Sequence, residues 1–192
     1  GASVAHAKLR AYFWYGDGVI DERNFILAET LIDDAGGFAL ELPEPPAGLV
    51  DHPEIPAACA DSAGITVSDF SVARTNYVEW SVFDSDGAYI DMLYETNRPQ
   101  AGIALPLTFG YFVYFSGPVH IDGTRTIEAP GYYAPSGEWI DKPVTDRYRY
   151  DDVQFTKGWC RYYLQSLSSV ETPLRVEREF TVLCATPENI RW

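Results

Sequence analysis

The sequence predicts an all-β protein, an antiparallel β-sandwich of about eight to ten strands with little or no helix. Three observations carry this prediction. Short segments rich in Val, Ile, Tyr and Phe alternate apolar and polar residues, which is the period of a half-buried strand. Turn residues interrupt these segments about every 8 to 15 residues. No segment shows the apolar spacing of a convincing amphipathic helix.

The first two strands are predicted near the beginning of the chain. Residues 7–15 alternate clearly, with Tyr12 on the polar face. Residues 24–32 are predicted as a second strand, and helix stays open as an alternative there. The stretch "DDAGG", Asp33–Gly37, has turn chemistry, and a further strand is predicted to begin at Phe38. The residues expected on the buried face of the first strand are Leu9, Ala11 and Phe13.

A proline-rich connection follows at residues 43–62. Each proline lacks a backbone N–H and biases the preceding residue away from helix, so this segment cannot sustain a β-ladder. Its length marks a crossover between sheets or an internal boundary. Charge and composition do not change across it, and we therefore expect one domain over residues 1–192.

The remaining strands follow from the same alternation. The strongest hairpin joins residues 77–83 to 88–95 through "DSDG". Residues 107–117 and 118–128 are predicted to pair as a central strand beside an edge strand. Three further strands are predicted, at 148–155, 159–167 and 178–184.

Charge and composition exclude several classes of function. The chain has 14 basic and 28 acidic residues and a net charge of -14, which repels nucleic acid. No apolar run reaches the length of a membrane helix, and the first residues lack the features of a signal peptide. We therefore expect any targeting segment to have been removed, and a lipid anchor in the precursor is compatible with this. Few lysines and an aromatic content of 15% favour an exported protein.

Three cysteines, Cys59, Cys160 and Cys184, allow three single-disulfide pairings. A Cys59–Cys184 disulfide would stabilise the fold by about 5 kcal/mol on the chain-entropy estimate, against about 3 kcal/mol for Cys160–Cys184. The first pairing is the one predicted, provided that the compartment is oxidising. Cys160 is then expected to be a small buried hydrophobic residue.

The region of the "DDAGG" turn resembles the transthyretin-like, carboxypeptidase-regulatory-like β-sandwich, in which T-x-x-D is followed by D-x-G-x-F. Residues 110–124 and 153–166 are also similar to segments of exported bacterial lipoproteins of unassigned function. The resemblance implies a β-sandwich on an exported protein and brings no catalytic residues. The matching positions are Thr30, Asp33, Asp34, Gly36, Gly37 and Phe38.

Motifs for chemistry are missing from the sequence. There is no G-x-S-x-G nucleophile motif, no CxxC spacing, and no dinucleotide or phosphate-loop fingerprint. The histidines are far apart, and His120 with Asp122 is the one candidate pair for a metal. The "DSDG" stretch fails the EF-hand pattern because Ala88 follows where a ligand is needed. The sequence therefore predicts neither a cofactor nor a metal, and not an enzyme.

Aromatic residues are the remaining resource for binding. Tyr132, Tyr133 and Trp139 lie in a loop rich in proline and glycine, where flat rings can stack on sugars or anchor a protein. The prediction is a non-enzymatic, exported bacterial cell-envelope module with a structural or binding role. The alternative is a glycan-binding or carbohydrate-active domain that uses these loop aromatics. The expected partner is an envelope protein or a glycan.

Overall fold

The computed structural model describes residues 5–13, 25–53, 64–93, 96, 107–133 and 138–187. This part of the chain contains one short 3₁₀ turn, Ala47–Leu49, and no α-helix. Its strands are β1 (Lys8–Phe13), β2 (Phe25–Leu31), β3 (His52–Pro53), β4 (Ile65–Val67), β5 (Ala73–Arg74), β6 (Val78–Phe83), β7 (Tyr89–Leu93), β8 (Leu107–Phe115), β9 (Val119–Ala129), β10 (Tyr132–Tyr133), β11 (Trp139–Ile140), β12 (Val144–Phe155), β13 (Gly158–Glu171) and β14 (Val176–Leu183).

The strands form two main sheets and a small ribbon. The first sheet has the order β2-β1-β6-β7, and the second has the order β3-β5-β8-β13-β14-β12-β9-β4. Strands β10 and β11 pair separately. The two main sheets pack as a sandwich in which the larger sheet curls into a half-barrel, so the predicted all-β sandwich is confirmed. The described part has fourteen strands rather than the predicted eight to ten, because several strands are only two or three residues long. The helical alternative for residues 24–32 is wrong, because β2 pairs along its length with β1.

One strand pair departs from the predicted antiparallel arrangement. Strand β12 runs antiparallel to β9, but it runs parallel to β14 from Val144↔Val176 to Tyr150↔Val182. The chain order explains this geometry. Strands β12 and β13 run in opposite directions, β14 reverses again after β13, and β14 then inserts between them.

The core between the two sheets comes from the inner face of the smaller sheet. Leu9, Ala11 and Phe13 of β1 are fully buried there, as predicted from their alternation. The outer face of the larger sheet contributes Phe112 and Trp159, and the Trp159 ring stacks on Phe13 at 6.2 Å. This packing joins the sheets through aromatic contact.

A second core fills the concave side of the larger sheet. Val72 beside β5 and Ile65 in β4 come from opposite edges of that sheet, yet they belong to the same buried cluster. Phe115 and Phe155 stack at 4.5 Å in its interior. The sheet therefore curls until its two edges share one core.

The predicted turn at Asp33–Gly37 is confirmed. The Asp33 carboxylate accepts hydrogen bonds from the backbone N–H groups of Ala35 (2.9 Å) and Gly37 (2.7 Å), and Gly36 has a φ of +81°. The "DSDG" turn repeats this arrangement, since the Asp84 carboxylate accepts from the residues two and four positions later. The first Asp of each stretch therefore stabilises a turn.

The strand predicted to begin at Phe38 is wrong. Residues 38–46 are extended but pair with no described strand, and the prolines limit pairing. Phe38, Leu40 and Leu42 nevertheless pack against the core between the sheets. Further along, the Trp159 indole N–H donates to the Pro43 carbonyl oxygen at 2.9 Å. Side-chain packing, rather than a β-ladder, holds this segment in place. Within the predicted connection, β3 pairs with β5 at His52–Pro53, so the expectation that residues 43–62 form no β-ladder is wrong there. Residues 54–62 lie outside the described part.

The polar face of β1 is more buried than its sequence suggests. Tyr12 is only 3% exposed, and its hydroxyl lies 2.9 Å from Ser81 Oγ and donates to Glu79 Oε2 at 3.5 Å. Burial raises the pKa of Glu79 above its ordinary value of 4.5, and the hydrogen bond from Tyr12 opposes this only in part. The ionised carboxylate is therefore unfavourable in the folded state.

We expect Glu79→Gln to be more stable than the parent at pH 7 and equally stable below about pH 4. The folded-state pKa exceeds the unfolded one, so the parent loses stability as the pH rises through these two values, whereas the variant does not. The gain in the free energy of unfolding is under about 1 kcal/mol because Glu79 is only partly buried. Urea unfolding at several pH values measures this gain in stability. Glu128→Gln is the control for the removal of one charge. If Glu79→Gln were still more stable than the parent by the same amount at pH 3.5, the raised pKa of Glu79 would not be the cause.

Candidate functional site

A pocket of about 280 Å³ opens on the concave face of the larger sheet. Six strands or their ends contribute to it, so no single sequence segment defines it. The residues that line it are Arg74, Tyr77, Tyr111, Arg125, Ile127, Tyr148, Tyr150, Tyr162, Leu164 and Val182.

Strand alternation places these side chains together. Tyr148 and Tyr150 are two residues apart on β12 and therefore point to the same side, as Tyr162 and Leu164 do on β13. Deeper in the half-barrel lie the buried side chains of the second core. The pocket is the part of the concave face that this core leaves open.

Three of the tyrosines, Tyr77, Tyr111 and Tyr162, form one connected aromatic surface. The ring centroids of Tyr77 and Tyr111 are 4.8 Å apart, and those of Tyr111 and Tyr162 are 5.7 Å apart. Tyr150 and Tyr162 are buried and form the floor, whereas Tyr77 is 40% exposed and stands at the rim. The floor is rigid because it belongs to the core, and the rim is open to a ligand.

The charged residues that line the pocket are both basic, although the protein as a whole is acidic. Two arginines line it, and none of its lining residues is acidic. The Arg74 guanidinium lies 5.0 Å from the Tyr77 ring centroid and donates from Nη1 to the Thr75 carbonyl oxygen at 2.8 Å. Arg125 extends from β9, opposite Tyr148 in the register. The charged side chains in the pocket lining are therefore opposite in sign to the net charge of -14.

A neutralised ion pair lies next to the pocket. Arg178 donates from Nε and Nη2 to the two carboxylate oxygens of Asp146, both at 2.7 Å. This hydrogen bonding raises the pKa of Arg178 despite its partial burial. The Phe180 ring stacks on Tyr148 at 5.0 Å in the same region. Asp146 is engaged by Arg178 through both oxygens, so this neighbouring acid is already occupied.

Residues on both sides of the pocket affect the pKa of Tyr148. Burial chiefly raises the pKa of Tyr148, Asp146 raises it further and Arg178 lowers it, with smaller effects from Tyr77 and Arg125. Tyr77 follows β5 and Arg125 lies on β9, so residues from opposite sides of the sheet are within electrostatic reach of one ring. A ligand in this space would meet both walls at once.

A second concavity of about 360 Å³ lies beside the extended segment 38–46, with Glu44, Tyr114 and Lys157 among its lining residues. Its main polar groups already serve the fold, because the Tyr114 hydroxyl donates to Glu44 Oε1 at 2.7 Å. It offers one aromatic ring, whereas the first pocket offers five. We therefore regard the tyrosine pocket as the better candidate site.

Comparison of the chain with known proteins identifies no relative. No known family, characterised protein or solved structure matches the chain. The resemblance to the transthyretin-like sandwich, carried by residues 30–38, therefore stays a prediction. So does the single-domain organisation over residues 1–192.

None of the loop aromatics of the sequence prediction is among the lining residues of this pocket, although Tyr132 is within electrostatic reach of the neighbouring Arg178. Tyr132 and Trp139 belong to the β10–β11 ribbon, and Trp139 is 46% exposed with its ring packed over Gly131. The Tyr133 side chain lies outside the described part of the structure. Ligand binding by these three residues stays a prediction.

The predicted Cys59–Cys184 disulfide also stays a prediction. Cys59 lies outside the described residues, and Cys184 has a free thiol that donates to the Gln154 carbonyl oxygen at 3.7 Å. Cys160 is a free, partly buried thiol packed against the core of the half-barrel, close to the environment expected from its alternation.

The described ranges were compared with two further kinds of feature, a cluster of metal ligands and a membrane-spanning helix. No group of three or more His, Cys, Asp or Glu side chains there could hold a metal ion. His120 contacts Asp152 at 2.7 Å, while Asp122 accepts from the Asp152 backbone N–H. Within the same ranges no helix is long and apolar enough to span a bilayer.

The pocket was missed from the sequence although part of its signal was visible. Tyrosines recur at two-residue spacing, as Tyr148 and Tyr150 do, and this pattern usually indicates core packing. The pocket arises because strands far apart in sequence curl towards one another. Tyr77 and Arg125 show this, since they are 48 positions apart in the printed sequence.

Proposed function

We propose that this chain is a non-enzymatic binding module of the bacterial cell envelope, and that its tyrosine pocket holds one ring of a glycan. The observation that supports the glycan most is the continuous tyrosine surface with a buried floor and an open rim. A sugar ring has an apolar C–H face and a polar hydroxyl edge. Tyrosine offers a flat apolar face and a hydroxyl, which complements both.

The size of the pocket supports a single ring. A cavity of about 150 Å³ accommodates benzene, and drug-sized ligands occupy pockets of roughly 300–1,000 Å³. The tyrosine pocket, at about 280 Å³, lies between these values. One hexose unit, free or at the end of a chain, fits this range.

We expect Tyr111→Ala to weaken binding of the glycan at least about tenfold, because it removes a half-buried ring from the centre of the aromatic surface. A glycan array selects the ligand, and calorimetry then measures the Kd. The bound sugar should be recovered unchanged after incubation.

Trp139→Ala is the matched control, because it removes an exposed ring outside the pocket. Loss of binding confined to Trp139→Ala would favour the loop site, which is the second candidate because its ring is accessible. A chain that binds no glycan would overturn the proposal. For the cellular location, detection of the native protein only in the cytoplasm would do the same.

A further inference from the structure

We propose that the ring bound in the tyrosine pocket carries a carboxylate, which Arg74 and Arg125 recognise, so that the ligand is an acidic sugar of the uronic acid class. This inference rests on the proposed glycan function and narrows it. It starts from the charge of the pocket rather than from its aromatic surface.

The two arginines lie in different environments. The contacts of Arg74 with the Thr75 carbonyl oxygen and the Tyr77 ring orient its guanidinium along the rim. Arg125 is partly buried, and its Nε is inaccessible to solvent. Ordered guanidinium groups lose little conformational freedom when they bind an anion.

Arg74 and Arg125 line the same small pocket. At about 280 Å³ this pocket has room for about one ring, so a bound ring lies close to the lining residues. Arg125 is also within electrostatic reach of Tyr148, another lining residue. Arginine prefers planar carboxylates, which it binds through two parallel hydrogen bonds.

The surrounding charge favours a short ligand over a long one. The net charge of -14 repels a polyanionic chain that lies across the surface. A single carboxylate inside the pocket is shielded from distant acids by salt, since the screening length is about 8 Å at physiological ionic strength. The ligand is therefore a free acidic sugar or the acidic end of a glycan.

The test compares glucuronate, glucose and benzoate as probes in calorimetry with the full chain. We expect glucuronate to bind at least about tenfold tighter than glucose, because a charge-assisted hydrogen bond is stronger than a neutral one. Arg125→Gln should remove this preference and leave the affinity for glucose nearly unchanged. Arg74→Gln provides a second variant in case the first one fails to fold.

Arg149→Gln is the matched control. Arg149 lies between Tyr148 and Tyr150 on β12, is exposed and pairs with Asp151 at 2.9 Å on the other side of the sheet. The Arg149→Gln variant loses the same charge as Arg125→Gln, and it should still prefer glucuronate to glucose. An equal loss of preference in Arg149→Gln would show a general charge effect and overturn the inference.

The remaining outcomes separate the two proposals. Equal affinities for glucuronate and glucose would overturn the acidic class and leave the glycan function standing. Binding of benzoate without glucuronate would show an aromatic acid and overturn the sugar assignment. If none of the probes bound and the glycan array were also negative, both proposals would fail.

Discussion

Gly123→Ala is expected to lower the free energy of unfolding by about 3 kcal/mol or more. Gly123 has a φ of +112°, a region that residues with a side chain rarely adopt. A Cβ at this position would also collide with the Gly64 carbonyl oxygen and lie 2.9 Å from Ile65 Cα. Because both obstacles are backbone atoms, β4 would have to move away from β9.

Gly158→Ala separates the effect of backbone strain from the effect of the collision with β4. Gly158 has a similar φ of +106°, but a Cβ at this position would meet no atom within 4 Å. We expect that variant to lose only about 1 kcal/mol, through backbone strain alone. Chemical denaturation monitored by tryptophan fluorescence compares the two. Equal losses would mean that the close approach of β4 contributes nothing.

Phe115→Ala is expected to cost about 3–5 kcal/mol, which is the usual range for removing a fully buried aromatic ring. Phe115 is 0% exposed and stacks on Phe155 at an interplanar angle of 18°. These residues lie on β8 and β12, which are separated by two strands in the sheet. Their contact therefore crosses the interior of the half-barrel and supports its curvature.

A double-mutant cycle with Phe155→Ala tests whether the stacking itself matters. The double variant should lose less than the sum of the single losses, with a coupling of about 1 kcal/mol. Leu174→Ala, at a position 83% exposed, is the surface control and should change stability by less than about 0.5 kcal/mol. Strict additivity would show that the two rings act independently.

The sequence was sufficient for strands and turns because these depend on near neighbours. Leu9, Ala11 and Phe13 were predicted on one face because side chains alternate along any strand. The turn at Asp33 was predictable because a carboxylate bonds backbone groups two and four residues later. These interactions are short in sequence and leave local patterns.

The arrangement of the strands was not predictable in the same way. Residues 107–117 and 118–128 were predicted to pair, but β9 pairs with β12 and β4, while β8 pairs with β13 and β5. The burial of Tyr12 also depends on polar partners from another strand. The pocket could not be predicted either, because its lining depends on the order of the strands in the larger sheet and on the curvature of that sheet.

The position of β14 has a consequence for how the protein is made. This strand pairs with both β13 and β12 and so joins the two halves of the larger sheet by backbone hydrogen bonds. It is also the last strand of the described chain. During synthesis β13 and β12 therefore each have one unpaired edge until residues 176–183 emerge from the ribosome. A nascent chain is therefore most exposed to aggregation or chaperone capture just before that moment.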